Sequence, residues 1–172
     1  MDSFIEYMIK QRKTASALVK KILVYFAALI VSLLVTAVTL IFPSMFMSLI
    51  PLAIVLIFYL AYRISSTYDV EFEYILTNGE LDVDKITNKK RRKRLMTIHC
   101  KSFTEFGKCD KSSKGADSKG EYARIINASA NSDTFDDYYA VFYKNGQKIK
   151  LIFNPTQRMI DIFKIYAPRV VK

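Results

Sequence analysis

After a short mixed polar and apolar opening, the chain contains no Asp, Glu, Lys, Arg or His between Ile22 and Tyr62. Charged residues crowd both flanks of this stretch. A charge in hydrocarbon is costly, and a soluble core helix seldom stays uncharged for so long, so the pattern predicts membrane-spanning helices. One span does not need so many residues, and the stretch divides at Phe42-Pro43-Ser44. Residues 22–42 reach about 31 Å as a helix, and residues 45–62 lie near the lower length limit for a span. Pro51 falls inside the second predicted span, where it is expected to kink the helix.

Residues 1–21 carry a weaker helical pattern. Ser3 and Glu6 have the spacing of a capping box, and Phe4, Ile5, Met8, Ala15, Leu18 and Val19 roughly follow one helical face. This predicts a cytoplasmic amphipathic helix lying in the headgroup layer, or alternatively a plain extension of the first span. Within the spans, Ala28, Ser32, Thr36 and Thr39 fall on one face. Small residues at this spacing let membrane helices approach closely, against the second span, another membrane protein or a second copy of the chain. No ionisable residue marks an ion path, which favours an anchor over a channel.

From residue 64 to residue 172 the hydrophobic period shortens to that of a strand. Glu71 to Leu76 and Leu81 to Ile86 alternate on either side of Asn78-Gly79, a dipeptide suited to a type I′ hairpin. Arg94 to Phe106 predicts one or two further strands, and Tyr122 to Asn127 a short one. Tyr138 to Tyr143 and Lys148 to Phe153 flank a second such turn, Asn145-Gly146. Gly107 to Gly120 is a polar loop. The last element is a helix with Asn154 as N-cap and Pro155 at its first position, an apolar stripe of Met159, Ile162, Phe163 and Tyr166, and Pro168 beyond its end. The expected fold is an α+β membrane protein: a transmembrane helical hairpin, then a small antiparallel β barrel or sandwich closed by a C-terminal helix.

Charge sets the expected orientation. The formal net charge is +10, and from Arg63 onward 21 Lys+Arg stand against 14 Asp+Glu. Lys10, Arg12, Lys13, Lys20 and Lys21 precede the first span, Arg63 ends the second, and the connector between spans is uncharged. The positive-inside rule therefore predicts a multi-pass cell-membrane protein with both termini cytoplasmic. A cleaved signal peptide fits poorly, because the apolar core is too long for one.

Candidate chemistry is sparse. The five glycines form no dinucleotide fingerprint, P-loop or nucleophile elbow. His99, Cys100, Cys109 and Asp110 cluster in sequence but lack paired zinc-ligand spacing, and His99 and Cys100 are neighbours that a strand would point to opposite faces. No catalytic residue, metal or cofactor is expected. Asp82 with Asp84, and Glu71 with Glu73, read as solubilising carboxylates on exposed strand faces. Asn127-Ala128-Ser129 matches a glycosylation acceptor that a cytoplasmic domain would not expose to that machinery. The sharpest feature is Lys89-Lys90-Arg91-Arg92-Lys93-Arg94, six consecutive cations read as a turn between two strands. Such a run suits anionic lipid or a phosphorylated headgroup, with Lys108, Lys111, Lys114 and Lys119 as possible additions. A solvated turn that only reinforces topology is the plain alternative, and a nucleic-acid backbone is a disfavoured third.

Tyr74-Ile75-Leu76-Thr77-Asn78-Gly79-Glu80-Leu81 resembles the first hairpin of the pleckstrin-homology-like domains that bacteria attach to membrane helices, and Arg94-Leu95-Met96-Thr97-Ile98 resembles a basic, then apolar strand of those domains. The whole chain, including Met1-Asp2-Ser3-Phe4 and Glu105-Phe106-Gly107, resembles an uncharacterised family of small two-span proteins from Gram-positive anaerobes. The resemblance implies a fold and an anchor without an established activity. The expected function is a non-enzymatic, membrane-anchored binding module that meets anionic lipid or a protein partner. The alternative is an accessory or scaffold subunit of a larger membrane complex, acting through its helices.

Overall fold

The computed structural model describes residues 3–12, 15–41, 48–109, 121–131 and 136–171. It divides into two compact units: residues 13–69, and a second unit in which residues 1–12 join residues 70–172. The β domain is therefore interrupted, with the helical segment inserted after its first strand. The predicted N-terminal amphipathic helix is absent. Phe4–Lys10 is strand β1, paired antiparallel with β2, Val70–Thr77, from Phe4 opposite Thr77 to Lys10 opposite Glu71. The alternation Ile5, Tyr7, Ile9 turned inward fits a strand better than a helix once β2 is present as a partner. Ser3, read as a cap, instead donates its backbone N–H to the Asn78 side chain at 3.0 Å.

Within the helical unit, α1 spans Ala15–Ile41 and α2 spans Ile50–Ser66, so each helix overruns its predicted span at the charged end, while α2 begins later than the predicted residue 45. The uncharged stretch marks the apolar part of each helix, and lysine and arginine are good helix formers that continue it. The predicted connector at Phe42-Pro43-Ser44 lies outside the described residues. Pro51 does not kink α2. It sits in the first turn, where its missing N–H would have had no helical partner. Lys21 Nζ lies 2.9 Å from both Asp69 carboxylate oxygens, which brings the start of α1 beside the end of α2 and makes the pair an antiparallel hairpin. Leu33, Leu34, Leu52 and Val55 are among many large apolar side chains left exposed along these helices. Among the described residues α1 is the one helix long and apolar enough to cross a membrane, and α2, with 17 residues, is shorter.

The β unit holds two four-stranded sheets rather than one closed barrel. The first has the order β1-β2-β3-β4, with β3 at Glu80–Thr87 and β4 at Arg91–His99. A short helical turn, Cys100–Ser102, carries the chain into the second sheet. That sheet has the order β5-β7-β8-β6, formed by Phe103–Lys108, Tyr138–Lys144, Gln147–Phe153 and Arg124–Asn127. Both Asn-Gly hairpins form as predicted, with Asn78, Gly79, Asn145 and Gly146 all at positive φ. One pairing departs from the antiparallel expectation: β6 runs parallel to β8, a crossover that no local turn signal encodes.

The inner faces of the two sheets share one core, including Phe72, Tyr74, Leu76, Val83 and Met96 from the first and Phe142, Leu151 and Phe153 from the second. Helix α3, Gln157–Tyr166, buries Met159, Ile160 and Phe163 in it. Its N-cap is Thr156, whose hydroxyl accepts from Met159 N–H, and not Asn154. Asn154 is buried and serves as a cross-link. Its side-chain oxygen accepts from Ala130 N–H at 2.7 Å, and its amide donates to Asp136 O and Asp137 Oδ1. The Tyr74 hydroxyl donates to Ala128 O at 2.6 Å, and burial raises that phenol's pKa.

Candidate functional site

The register of the first sheet assembles a charged cluster on its outer face. Phe72, Tyr74 and Leu76 point to the core, so Glu71 and Glu73 point away from it. Met8 lies opposite Glu73, Glu73 opposite Asp84, and Asp84 opposite Arg94, while Ile86 separates Glu71 from Arg92. A bulge in the β3–β4 pairing, between Val83 and Asp84, re-aims β4 so that both arginines reach back over the acids. Arg92 Nη2 sits 2.8 Å from the Glu73 carboxylate. Arg94 spans two acids, with Nε 3.0 Å from Asp84 Oδ1 and Nη1 2.9 Å from Asp82 Oδ2.

Glu73 has no exposed surface, although the arginine above it is 54% exposed. The neighbouring side chains roof a carboxylate that lies close to solvent. Burial raises the Glu73 pKa, Arg92 opposes that shift, and a carboxyl neighbour, Glu6, adds to it. Three of the four acids read as solubilising residues, Glu73, Asp82 and Asp84, therefore form an ion-paired layer that fixes two of the six cations.

The basic run is only partly a turn. Residues 88–90 form the connection, in which Lys90 N–H donates to Thr87 O at 3.2 Å, while Arg91–Arg94 begin β4. The cross-strand acids make this stretch pair as a strand despite its lack of apolar alternation. Asn88 and Lys89 both adopt φ of 54°. The chain's alternation sends Arg92 and Arg94 to one face of β4 and Arg91 and Lys93 to the other, so the six cations are not one patch. Among the described residues, Lys89, Lys90, Arg91 and Lys93 have no carboxylate within ion-pairing distance.

Lys89, Lys90 and Arg92 line an open groove of about 490 Å³, together with Met8, Ile86 and Glu71. Sequence reasoning missed Met8, which it placed on a helix, and Ile86 and Glu71, whose positions depend on register. The groove lies at the end of the sheet where β1 finishes and β2 begins. Val70 pairs with Thr87, and Gln11 N–H donates to Val70 O at 3.1 Å. Of the remaining predicted cations, Lys108 pairs with Asp136 at 2.8 Å on the second sheet, and Lys111, Lys114 and Lys119 lie outside the described residues.

On α1, Ala28 and Ser32 are buried. The Ser32 hydroxyl donates to Leu29 O and the Thr36 hydroxyl to Ser32 O, while the Thr39 side chain lies outside the described residues. His99 Nδ1 accepts from Lys101 N–H, and its ring meets Tyr166 edge-on. Cys100 is buried and its thiol pKa is pushed up to about 12 by that burial, which suits packing and not nucleophilic chemistry. Asn127 turns its side-chain oxygen onto Ser129 N–H and Oγ, closing a local turn.

A family model described as a bacterial PH-like domain (DUF6106) matches residues 1–172. The chain belongs to this family. The match spans the helical segment as well as the β domain, so the insertion after β1 falls inside the family's own extent. The resemblance to PH-like domains thus holds for the whole chain, and such domains are generally binding modules without catalysis. No curated protein and no solved structure matches the chain.

Proposed function

We propose that this PH-like protein is a non-enzymatic binding module, anchored by two membrane crossings, whose basic turn rests on anionic lipid with both termini in the cytoplasm. The carrying observation is topological. The turn at residues 88–90 lies at the end of the sheet from which the chain departs after β1 and to which it returns at β2. Residues 11–14 and 67–69 are the only residues between those strand ends and the helices, and at ~3.5 Å per residue they span little distance. A helical segment that enters the bilayer there keeps the turn close to the headgroups.

The same pairing supports two crossings. β1 and β2 are hydrogen-bonded neighbours, so the segment between them must begin and end on one side of the membrane. A single crossing would separate these two strands. A 17-residue α2 extends about 26 Å, short for a span, and a short span is accommodated by local thinning of the bilayer. Cations beside both helix entries favour the cytoplasmic side. Each Lys or Arg near an anionic leaflet contributes about 1 kcal/mol, so Lys89 and Lys90 together with the flanking cations supply a useful hold. Ala28 and Ser32 are buried within the chain, which speaks for the anchor reading over a subunit that offers this stripe to a larger complex.

The test is vesicle co-sedimentation of a chain in which a short Gly/Ser linker replaces residues 13–69, retaining β1. Binding to phosphatidylglycerol vesicles, weakening with salt and lost in Lys89→Ser/Lys90→Ser, is the expected result. Equal behaviour on neutral and anionic vesicles would reduce the turn to a topology signal.

A further inference from the structure

The groove contains one residue that plain attraction to phosphate does not explain. Glu71 lines it alongside Lys89, Lys90 and Arg92, yet among the described residues Glu71 forms no ion pair. Arg92 is held on the buried Glu73 instead. A free carboxylate beside the cations of a phosphate-binding surface lowers its affinity, unless the ligand brings a hydrogen-bond donor to that carboxylate. A hydroxyl carried next to the phosphate does this: it donates to the acid while the phosphate oxygens accept from the cations. Met8 and Ile86 add an apolar wall, against which the carbon skeleton of a polyol can lie. A volume of about 490 Å³ is within the usual size of small-ligand sites.

We propose that this groove selects a hydroxyl-bearing phosphodiester headgroup, such as glycerol phosphate on a membrane lipid. Lys89, Lys90 and Arg92 meet the phosphate, and Glu71 accepts from the hydroxyls. This rests on the lipid-contacting function proposed above and narrows it from charge attraction to recognition of a headgroup. Arg92 is pre-oriented by Glu73, so the guanidinium does not need to be ordered on binding. The lipid is favoured over a soluble phosphate ester because the groove opens at the strand ends that lead into the helical segment.

The experiment is native mass spectrometry of the full chain in detergent, titrated with dioleoyl phosphatidylglycerol or dioleoyl phosphatidylmethanol. These lipids carry the same phosphodiester charge, and only the first has free hydroxyls. Wild type is expected to prefer phosphatidylglycerol roughly tenfold, the scale of one hydrogen bond to a charged group. Glu71→Gln should lose that preference while holding phosphatidylmethanol at least as well as before. Lys89→Ser/Lys90→Ser should weaken both lipids. If wild type binds the two lipids equally, or Glu71→Gln tightens both alike, recognition of hydroxyls is overturned and lipid contact survives. If wild type binds neither, lipid contact falls, and this inference with it. Displacement of phosphatidylglycerol by an equal concentration of free glycerol 1-phosphate would overturn the assignment to a lipid.

Discussion

Two tight turns of the first sheet share a left-handed backbone but differ in the residues that hold it. Asn78-Gly79 joins β2 to β3 with φ of 49° and 83°, and Asn88-Lys89 begins the connection from β3 to β4 with φ of 54° at both positions. Glycine adopts such angles without strain, whereas an L side chain pays about 1–2 kcal/mol there. The first turn is built for the fold: a Cβ on Gly79 would come within 2.6 Å of the Tyr166 ring, so the turn lies tightly against α3. The second turn keeps a lysine where glycine would be easier. A strained position that carries a charge points to use of that charge.

The largest effect expected from this contrast is at Gly79. Gly79→Ala combines an unfavourable φ with a clash on Tyr166, and should cost about 3 kcal/mol in thermal unfolding followed by near-UV circular dichroism. Gly146, at φ of 76°, has open space around it, so Gly146→Ala should cost only about 1 kcal/mol. Adding Tyr166→Ala should recover part of the loss at Gly79 and none at Gly146. Equal losses at the two glycines would mean that α3 does not brace the first turn.

A smaller change of opposite sign is expected at the other turn. Lys89→Gly should stabilise the domain by about 0.5 kcal/mol, the relief of strain less the added freedom of the unfolded chain, while weakening binding to anionic vesicles. A clear loss of stability would show that Lys89 serves the fold after all. The smallest effect lies in the middle of the same sheet, at Glu73. The folded-state pKa of Glu73 is raised, chiefly by burial, so its contribution to stability is fully present below the ordinary carboxylate range and is lost as pH rises through the raised value. Glu73→Gln should therefore flatten the decline of stability above that range, as read by melting temperature between pH 4 and pH 8. A variant that melts with an unchanged pH profile would remove Glu73 from the account.

Local signals were legible in the sequence. Both Asn-Gly hairpins, α3 and the apolar helices follow from dipeptides, periodicity and charge within a few neighbouring residues. β1 was not legible, because Phe-Ile-Glu-Tyr-Met-Ile-Lys fits either period over so short a run and its partner begins only at Val70. The basic run misled for a related reason. Arg92 and Arg94 look like turn residues until Glu73, Asp82 and Asp84 are brought beside them by register. The groove was half visible: its cations stood out, but Met8 joins them only through a pairing that spans the inserted helices, and Glu71 and Ile86 only through the registers of β2 with β3 and of β3 with β4.

The insertion of the helices after β1 has a consequence for biogenesis. A ribosome delivers β1 first, then the whole apolar segment, and only afterwards the strand that β1 pairs with. β1 must wait unpaired until β2 has been made. Under the proposed anchoring, a chain threaded with one crossing would strand β1 across the bilayer from β2 and leave the first sheet one strand short, with Ile9 and its neighbours missing from the core. If the helices cross a bilayer as proposed, closure of this sheet would act as a proofreading step for their topology, and chains that fail it would present an open strand edge to the cell's proteases.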